Sequence, residues 1–213
     1  MRSILGVLVA GGAGSRLALG MPKALARLGG VTLLERALAT LAAVCDGIVV
    51  SAPARMDLPL PGTVPSARGA RPVRRADDPA GTLGPLAGIV AGLGSVPCDC
   101  AVVLGVDLPF VEPAALEALV ERLPGHQAVV PVPGGFPQPL AAAYAAAAGP
   151  ILASRLAAGE RSPIRALRSL DVLSLDDREL AQIPGGAAGF FNLNTPADLV
   201  ESERRLAARK ASA

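Results

Sequence analysis

The chain begins with a short apolar run that is followed at once by a glycine-rich loop. Residues 4–9 read Ile-Leu-Gly-Val-Leu-Val, and residues 10–17 read Ala-Gly-Gly-Ala-Gly-Ser-Arg-Leu. An uninterrupted apolar run of this length is typical of a strand that is buried on both faces. Glycines allow positive φ and let backbone N–H groups approach an anion closely. Because Arg16 and Lys23 add positive charge beside the loop, the segment predicts a site for a nucleoside triphosphate.

Short apolar runs alternate with amphipathic helical stretches along the chain. The predicted strands cover residues 4–9, 47–51, 71–75, 101–106 and 128–132. The predicted helices cover residues 32–44, 86–93, 113–123, 151–157, 163–170 and 197–210, with Thr195 as the N-cap of the last one. This alternation predicts a Rossmann-like three-layer α/β/α sandwich with a mainly parallel sheet.

The secondary structure of three further segments follows less directly from the sequence pattern. Residues 140–144 fit either a strand or the start of a helix, and residues 189–193 predict a last strand. Residues 53–70 contain four prolines and little periodicity, so they predict a loop or a disordered lid.

The length and charge of the chain limit its domain count and its partners. With 213 residues we expect a single domain, in which residues 1–110 form a nucleotide-binding half and residues 111–213 an acceptor-substrate half. The net charge of +2 is spread along the chain, so neither a nucleic acid nor a membrane is an expected partner. Cys45, Cys98 and Cys100 form an odd set, which predicts reduced, mostly buried thiols. We expect a cytoplasmic monomer with small-molecule partners.

Acidic residues follow two of the predicted strands. Ligands in parallel α/β sheets bind beyond the carboxyl ends of the strands, where Asp77, Asp78 and Asp107 stand in this sequence. A carboxylate beside a triphosphate is a natural Mg²⁺ ligand. From its position alone, Asp107 is equally well explained as the cap of a turn.

The same segments leave other interpretations open. A Gly-x-Gly pattern after a strand also occurs in dinucleotide-binding oxidoreductases, although the third glycine is missing here. Lys23 could instead be a solvated surface lysine.

Other residues argue against a hydrolase or give no sign of a site. His126 is the only histidine, which argues against a hydrolytic triad, and we interpret it as an exposed turn residue. The arginines at 68, 71, 74 and 75 are interpreted as a solvated face. A nucleotide-binding protein without catalytic activity also remains open.

Several segments in chain order carry a family resemblance. Val9-Ala10-Gly11-Gly12 followed by Arg16 and Lys23 resembles the opening of nucleotidyltransferases. Residues 84–89 read Gly-Pro-Leu-Ala-Gly-Ile, and residues 191–199 read Phe-Asn-Leu-Asn-Thr-Pro-Ala-Asp-Leu. Together with Gln-Pro-Leu at 138–140 and Ala-Gly-Glu-Arg at 158–161, they resemble the molybdenum cofactor guanylyltransferase family over nearly the whole chain.

That resemblance implies a nucleotidyltransferase fold and the Mg²⁺-dependent transfer of GMP from GTP to the terminal phosphate of molybdopterin. It implies that Arg16, Lys23 and Asp107 are catalytic and that Asp107 is the metal ligand. The residues expected to bind the nucleotide are Val9, Ala10, Gly11, Gly12, Gly14, Lys23, Asp77 or Asp78, Gly84, Pro85 and Asp107. Those expected on the acceptor side are Gln138, Arg161, Asn192 and Asn194. Transient contact with cofactor-insertion proteins is a further expectation.

Two positions depart from the pattern of this family. Pro22 precedes the lysine where an aspartate is common, and Pro53 stands near the place of a nucleotide-contacting asparagine. Cytidylyl transfer to molybdopterin therefore stays open, as does the activation of a sugar 1-phosphate.

Overall fold

The computed structural model describes residues 2–11, 21–82 and 84–211 of the chain. The strands of these residues are β1 (Ile4–Val9), β2 (Arg27–Leu28), β3 (Val31–Thr32), β4 (Gly47–Ala52), β5 (Thr63–Val64), β6 (Arg71–Asp77), β7 (Cys100–Gly105), β8 (Ala128–Pro131), β9 (Ala141–Ala145) and β10 (Val172–Leu175). The α-helices are α1 (Leu33–Val44), α2 (Pro85–Leu93), α3 (Pro113–Glu121), α4 (Ala148–Ala157), α5 (Pro163–Leu167), α6 (Asp177–Leu180) and α7 (Pro196–Ala211).

Eight of these strands form one central sheet in the order β10-β8-β9-β7-β1-β4-β6-β5. The pairs β1-β4, β1-β7, β4-β6 and β8-β10 are parallel. Strand β9 runs antiparallel between β7 and β8, and the short β5 runs antiparallel at one edge. The five predicted strands are all present, and the mainly parallel sheet is confirmed.

Helices cover both faces of the sheet, which confirms the three-layer prediction. One apolar core packs α1 and α3 against one face, and a second packs α2, α4 and α5 against the other. Successive side chains of β1 alternate between these two cores: Leu8 belongs to the first, and Val7 and Val9 belong to the second. A strand with apolar contacts on both faces needs an uninterrupted apolar sequence, as residues 4–9 have.

Helix α2 lies unusually close to β1 because it presents glycines to that strand. A Cβ at Gly88 would stand 2.8 Å from Val9 Cγ1, and one at Gly92 would overlap the Val7 side chain. Gly84 has φ 103° and precedes Pro85, whose fixed φ suits the first turn of a helix. The start of α2 is thereby placed next to the end of β1.

One expectation about an irregular segment is corrected, and an open choice between helix and strand is decided. Residues 189–193 are not a strand, because Ala187–Phe190 form a 3₁₀ turn whose Gly189 N–H donates to Gly185 O at 3.0 Å. Leu193 N–H then donates to Asp107 O at 2.9 Å, which places the segment beside the end of β7 instead of within the sheet. Residues 140–144 correspond to β9, so the strand alternative was right.

The proline-rich segment after β4 is a loop, as one of the two alternatives predicted, and it also contains the short strand β5. The guanidinium of Arg75 donates to Pro53 O and to Met56 O, each at 2.8 Å. Its Nε also donates to Asp77 Oδ1 at 2.8 Å. Arg75 lies on an exposed face, as predicted, and in addition ties β6 to this loop.

The cysteines and the helices agree with the expectations from composition. All three thiols are free, with Cys45 and Cys100 buried and Cys98 half-buried. Burial raises the pKa of the Cys45 thiol, which makes it unreactive. Among residues 2–11, 21–82 and 84–211, no helix has the length and apolar content needed to cross a membrane.

Candidate active site

The carboxyl ends of the parallel strands meet at one edge of the sheet. Ala10 follows β1 there, and its N–H donates to Ser51 O of β4 at 2.8 Å. On the other side of β1, Val106 N–H donates to Val9 O at 3.1 Å, so the turn after β7 lies beside the start of the glycine loop. Ala10, the first residue of the glycine loop, and Asp107 thus leave the same edge, as a common site requires.

Lys23 is the central charged residue of this edge. It begins a 3₁₀ turn after Pro22, and the residue is only 8% exposed. Its ammonium group donates to Asp107 Oδ2 at 3.1 Å and to Asn194 Oδ1 at 2.6 Å. The alternative of a solvated surface lysine is therefore wrong, and three segments that are far apart in sequence converge on one ammonium group.

Asp107 follows β7 and turns its carboxylate back over the end of that strand. A Cβ at Gly105 would stand 2.6 Å from Asp107 Oδ1, so this conformation requires glycine there. Its Oδ2 accepts the Lys23 bond. Within the described ranges no backbone N–H donates to this carboxylate, so the turn-cap interpretation finds no support. The side chain is 21% exposed, which leaves it open to a ligand.

The segment before α7 supplies Asn192 and Asn194. Thr195 is the helix N-cap, as predicted: its Oγ1 accepts from Asp198 N–H at 3.2 Å. Asp198 Oδ2 accepts from Thr195 N–H at 2.7 Å and from Asn194 N–H at 2.8 Å. The bond from Asn194 is the main reason that the pKa of Asp198 lies below its usual range. Asn192 Nδ2 donates to Gln138 Oε1 at 3.3 Å, which joins two expected acceptor-side residues.

The structure distinguishes between the two carboxylates after β6. Asp78 Oδ1 accepts from the buried Ser51 hydroxyl at 2.7 Å, and its Oδ2 stands 3.5 Å from where a Cβ of Gly11 would lie. Burial raises the pKa of Asp78. Asp77 instead pairs with Arg75, and its side chain is 55% exposed. Asp78 is thus the carboxylate that faces the glycine loop.

The remaining expected site residues lie around the start of α2 or outside the described residues. The position of a Cβ on Gly84 is 3.7 Å from Arg161 O, so Arg161 lies at the start of α2. Its guanidinium donates to Leu156 O and Glu160 O, each at 2.9 Å, at the end of α4. Gly12, Gly14 and Arg16 lie outside the described residues.

Comparison with known proteins gives the family. A family profile described as "MobA-like NTP transferase domain" matches residues 6–172. The chain is 33% identical to a probable molybdenum cofactor guanylyltransferase of Natronomonas pharaonis, over 94% of this chain and 97% of that protein. It is 32% identical to the molybdenum cofactor guanylyltransferase of Rhodobacter capsulatus, over 95% and 96% of the two chains.

The chain belongs to the MobA-like NTP transferase family. A solved structure of this family, molybdopterin-guanine dinucleotide biosynthesis protein A from Archaeoglobus fulgidus, superposes with a TM-score of 0.75 and 26% identity, covering 96% of this chain and 99% of that one. The resemblance inferred from the sequence motifs is therefore confirmed. The 2-C-methyl-D-erythritol 4-phosphate cytidylyltransferase of Thermus thermophilus has a TM-score of 0.67 at 20% identity, over 96% of this chain and 98% of that one, and shares the fold.

Three residues that shape this MobA-like site were not singled out from the sequence: Ser51, Gly105 and Asp198. Ser51 ends a strand and gives no signal of its own, because its partner Asp78 is 27 residues away. Asp198 could have been found, since Thr-x-x-Asp before an apolar run is typical of a capping box. A glycine two residues before a candidate metal ligand was a weaker signal for Gly105.

Proposed function

We propose that this chain is a molybdenum cofactor guanylyltransferase, which transfers GMP from GTP to the terminal phosphate of molybdopterin and releases pyrophosphate. The observation that carries the proposal is the buried Lys23 ammonium, held between Asp107 and Asn194 where the glycine loop begins. The family and its near full-length relatives favour this reaction over activation of a sugar 1-phosphate.

The reaction needs no protein base. A phosphate monoester has a second pKa of about 6, so the acceptor phosphate is already ionised at neutral pH. One of its oxygens attacks the α-phosphorus of GTP, and the bond from that phosphorus to the β-phosphate oxygen breaks. Lys23, with the N–H groups of the glycine loop and Arg16, would stabilise the negative charge that the phosphates carry during transfer. Catalysis then depends on position and charge.

Asp107 is the residue that would hold Mg²⁺. Its partly exposed carboxylate lies beside the loop after β1, and Mg²⁺ prefers one or two carboxylates together with substrate phosphates and water. When bound, the ion would offset phosphate charge and orient the triphosphate. The donor set of this edge fits such an ion.

We assign the other residues by their place around Lys23. Asp78, at the glycine loop, and the start of α2 at Gly84 and Pro85 would contact the nucleotide, in the half formed by residues 1–110. The Gln138–Asn192 pair and Arg161 would contact the pterin, in the half formed by residues 111–213. We further propose a cytoplasmic monomer that meets cofactor-insertion proteins transiently.

The test is pyrophosphate release with molybdopterin, Mg²⁺ and each of GTP, CTP and UTP. We expect GTP to be preferred, and we expect a hexose 1-phosphate not to replace molybdopterin. Lys23→Ala should slow turnover by about 10²–10³-fold, as the loss of one preorganised electrostatic contact does. Arg74→Ala, which removes an exposed cation on β6, is the control and should leave turnover unchanged. A preference for CTP, or turnover with the sugar phosphate alone, would overturn the proposal.

A further inference from the structure

We propose that Asp198 is a positioning residue for nucleotidyl transfer, and that it acts through Asn194 on the ammonium of Lys23. The inference deepens the proposed function and rests on it, because its main readout is the rate of that reaction. Asp198 itself has no direct hydrogen bond to Lys23 or Asp107 in the described part of the chain.

The first step of the argument is that Asp198 makes one bond more than a helix cap needs. In a capping box, the acidic side chain at the third helical position accepts from the N–H of the N-cap residue, which is Thr195 here. Asp198 Oδ2 also accepts from the N–H of Asn194, one residue outside the cap, at 2.8 Å. The carboxylate therefore fixes the backbone on both sides of the Asn194–Thr195 peptide bond.

Helix α1 provides an internal comparison. It begins with the same arrangement, in which Thr32 is the N-cap and Glu35 the acidic residue. Glu35 Oε2 accepts from Thr32 N–H at 2.9 Å and from Thr32 Oγ1 at 2.7 Å. In the described structure neither residue bonds to Lys23, Asp107 or Asn194. The additional bond to the residue before the cap distinguishes α7 from α1.

The second step is what the fixed backbone does for the side chain of Asn194. Its Oδ1 accepts from Lys23 Nζ at 2.6 Å, so the position of this amide decides where the ammonium stands. A lysine side chain is long and flexible, and only its acceptors fix the ammonium. Without Asn194 in place, Lys23 would keep Asp107 as its one acceptor among the described residues and would move toward that carboxylate.

The third step is that the charge on Asp198 is maintained. The N–H of Asn194 is the largest cause of the lowered pKa of this carboxyl group, and Lys23 contributes through its charge. These contacts favour the carboxylate form, whose negative charge attracts the ammonium of Lys23 toward Asn194.

The experiment compares Asp198→Ala with Glu35→Ala, which removes the matching acid from α1. We expect both variants to lose thermal stability. Only Asp198→Ala should lose kcat, by about 10–100-fold, because misplacement by about 1 Å costs up to about 10²-fold. KM for GTP should change by less than about threefold, since binding of GTP is shared among many contacts. Asp198→Glu should recover most of the rate, because glutamate fills this position in α1.

A double variant separates positioning from a general loss of stability. In the Asn194→Ala background the amide that Asp198 positions is absent, so adding Asp198→Ala should slow the reaction by less than about twofold further. If the two effects multiply, Asp198 does not act through Asn194. Should Asp198→Ala fail to fold, Asp198→Asn, which keeps the shape but not the charge, replaces it in the same cycle, with a smaller expected loss.

The outcomes distinguish this inference from the proposed function. Wild-type protein without pyrophosphate release would contradict the proposed function. Active wild type together with an Asp198→Ala variant of unchanged kcat would overturn the inference alone. Equal loss of kcat in Glu35→Ala and Asp198→Ala would also overturn it, since it would show a purely structural effect.

Discussion

Gly105 lies two residues before Asp107, and a methyl group on it would stand 2.6 Å from Asp107 Oδ1 and 3.2 Å from Leu140 Cβ. Gly105→Ala must therefore displace the carboxylate, since Leu140 blocks the other side. We expect kcat to fall by about 10–100-fold and the free energy of unfolding to fall by about 1–3 kcal/mol, as for an overpacked core. Initial rates at saturating GTP and chemical denaturation measure the two effects.

Gly62→Ala is the matched control for this prediction. A Cβ at Gly62 would meet no atom within 4 Å, so the added methyl group has room. Both rate and stability should stay as in the wild type. Normal turnover in Gly105→Ala would show that the orientation of Asp107 over β7 does not matter for the reaction.

Asp78 illustrates a cost in stability at a ligand-facing position. Burial raises its pKa, so the folded state disfavours the charged form relative to the unfolded state. Because the folded pKa is raised, the stabilising contribution of Asp78 is present below its unfolded pKa of about 3.9 and is lost as pH rises through the folded value. Asp78→Asn should therefore raise Tm at pH 7, with the gain shrinking toward pH 4.

Thermal denaturation of both proteins at these two pH values measures the effect. Asparagine keeps an oxygen that accepts from the Ser51 hydroxyl, so the variant tests charge instead of a lost hydrogen bond. Affinity for GTP should change at the same time if Asp78 contacts the nucleotide. A lower Tm at pH 7 would contradict the prediction.

At the residue scale, the sequence predicted a site residue where a charged side chain directly follows a recognisable loop or strand. Lys23 after a glycine loop and Asp107 at a strand end could be singled out as candidates, because charged residues at the carboxyl ends of parallel strands face the ligand-binding edge; the position of Asp107 alone did not exclude a turn cap. The choice between Asp77 and Asp78 could not, since it depends on which side chain of a strand end faces the buried Ser51. The bond between Lys23 and Asn194 joins residues 171 positions apart and leaves no local pattern.

Among the elements, the loop after β4 depends on a single arginine. Arg75 donates to Pro53 O and Met56 O and thereby fastens the loop to β6. We expect Arg75→Ala to increase amide exchange and proteolysis within residues 53–60, because the loop would retain few other bonds to the sheet. Arg74→Ala on the same strand is the control, since no hydrogen bond of its side chain is found in the described structure. Equal protection in both variants would contradict this prediction.

The elements themselves followed well from local patterns. The apolar runs at residues 4–9 and 101–106 have the length and β-branched content of buried strands, and both form strands of the sheet. Residues 189–193, which read Gly-Phe-Phe-Asn-Leu, are also mostly apolar but do not form a strand. Their N–H groups bond to a turn and to Asp107 O, which a sequence pattern does not reveal. Strand β10 and helix α6 were not predicted, because the apolar run of β10 is short and half-exposed.

At the scale of the whole molecule, binding of GTP should stabilise the fold by mass action. At a concentration 100 times Kd, a ligand specific for the folded state adds about 2.7 kcal/mol. A chain of this size should then gain about 5–10 °C in Tm, at about 2–4 °C per kcal/mol. Differential scanning fluorimetry with GTP and Mg²⁺ measures the shift, and NADH serves as the negative control. A shift with NADH but not with GTP would contradict the nucleotide assignment.

The strand order was beyond prediction from the sequence. The alternation of strands and helices predicted a layered α/β fold but not the order of its strands. Strand β1 pairs with β4 and also with β7, where the partners Ile4 and Cys100 are 96 residues apart in sequence. Such pairings depend on how the helices cover each face, and many orders satisfy the same alternation. Antiparallel β9 was not predicted unambiguously either, because its alanine-rich sequence favours a helix by intrinsic propensity and forms a strand only through its pairing with β7 and β8.

The convergence on Lys23 has a consequence for the time at which activity begins. Synthesis on the ribosome releases the amino-terminal strands first, and these can already begin to pair. The ammonium group obtains its second acceptor only when Asn194 has left the exit tunnel. Until Asn194 has emerged and packed against Lys23, the ammonium lacks the acceptor that positions it, so a polypeptide truncated before that residue should be inactive.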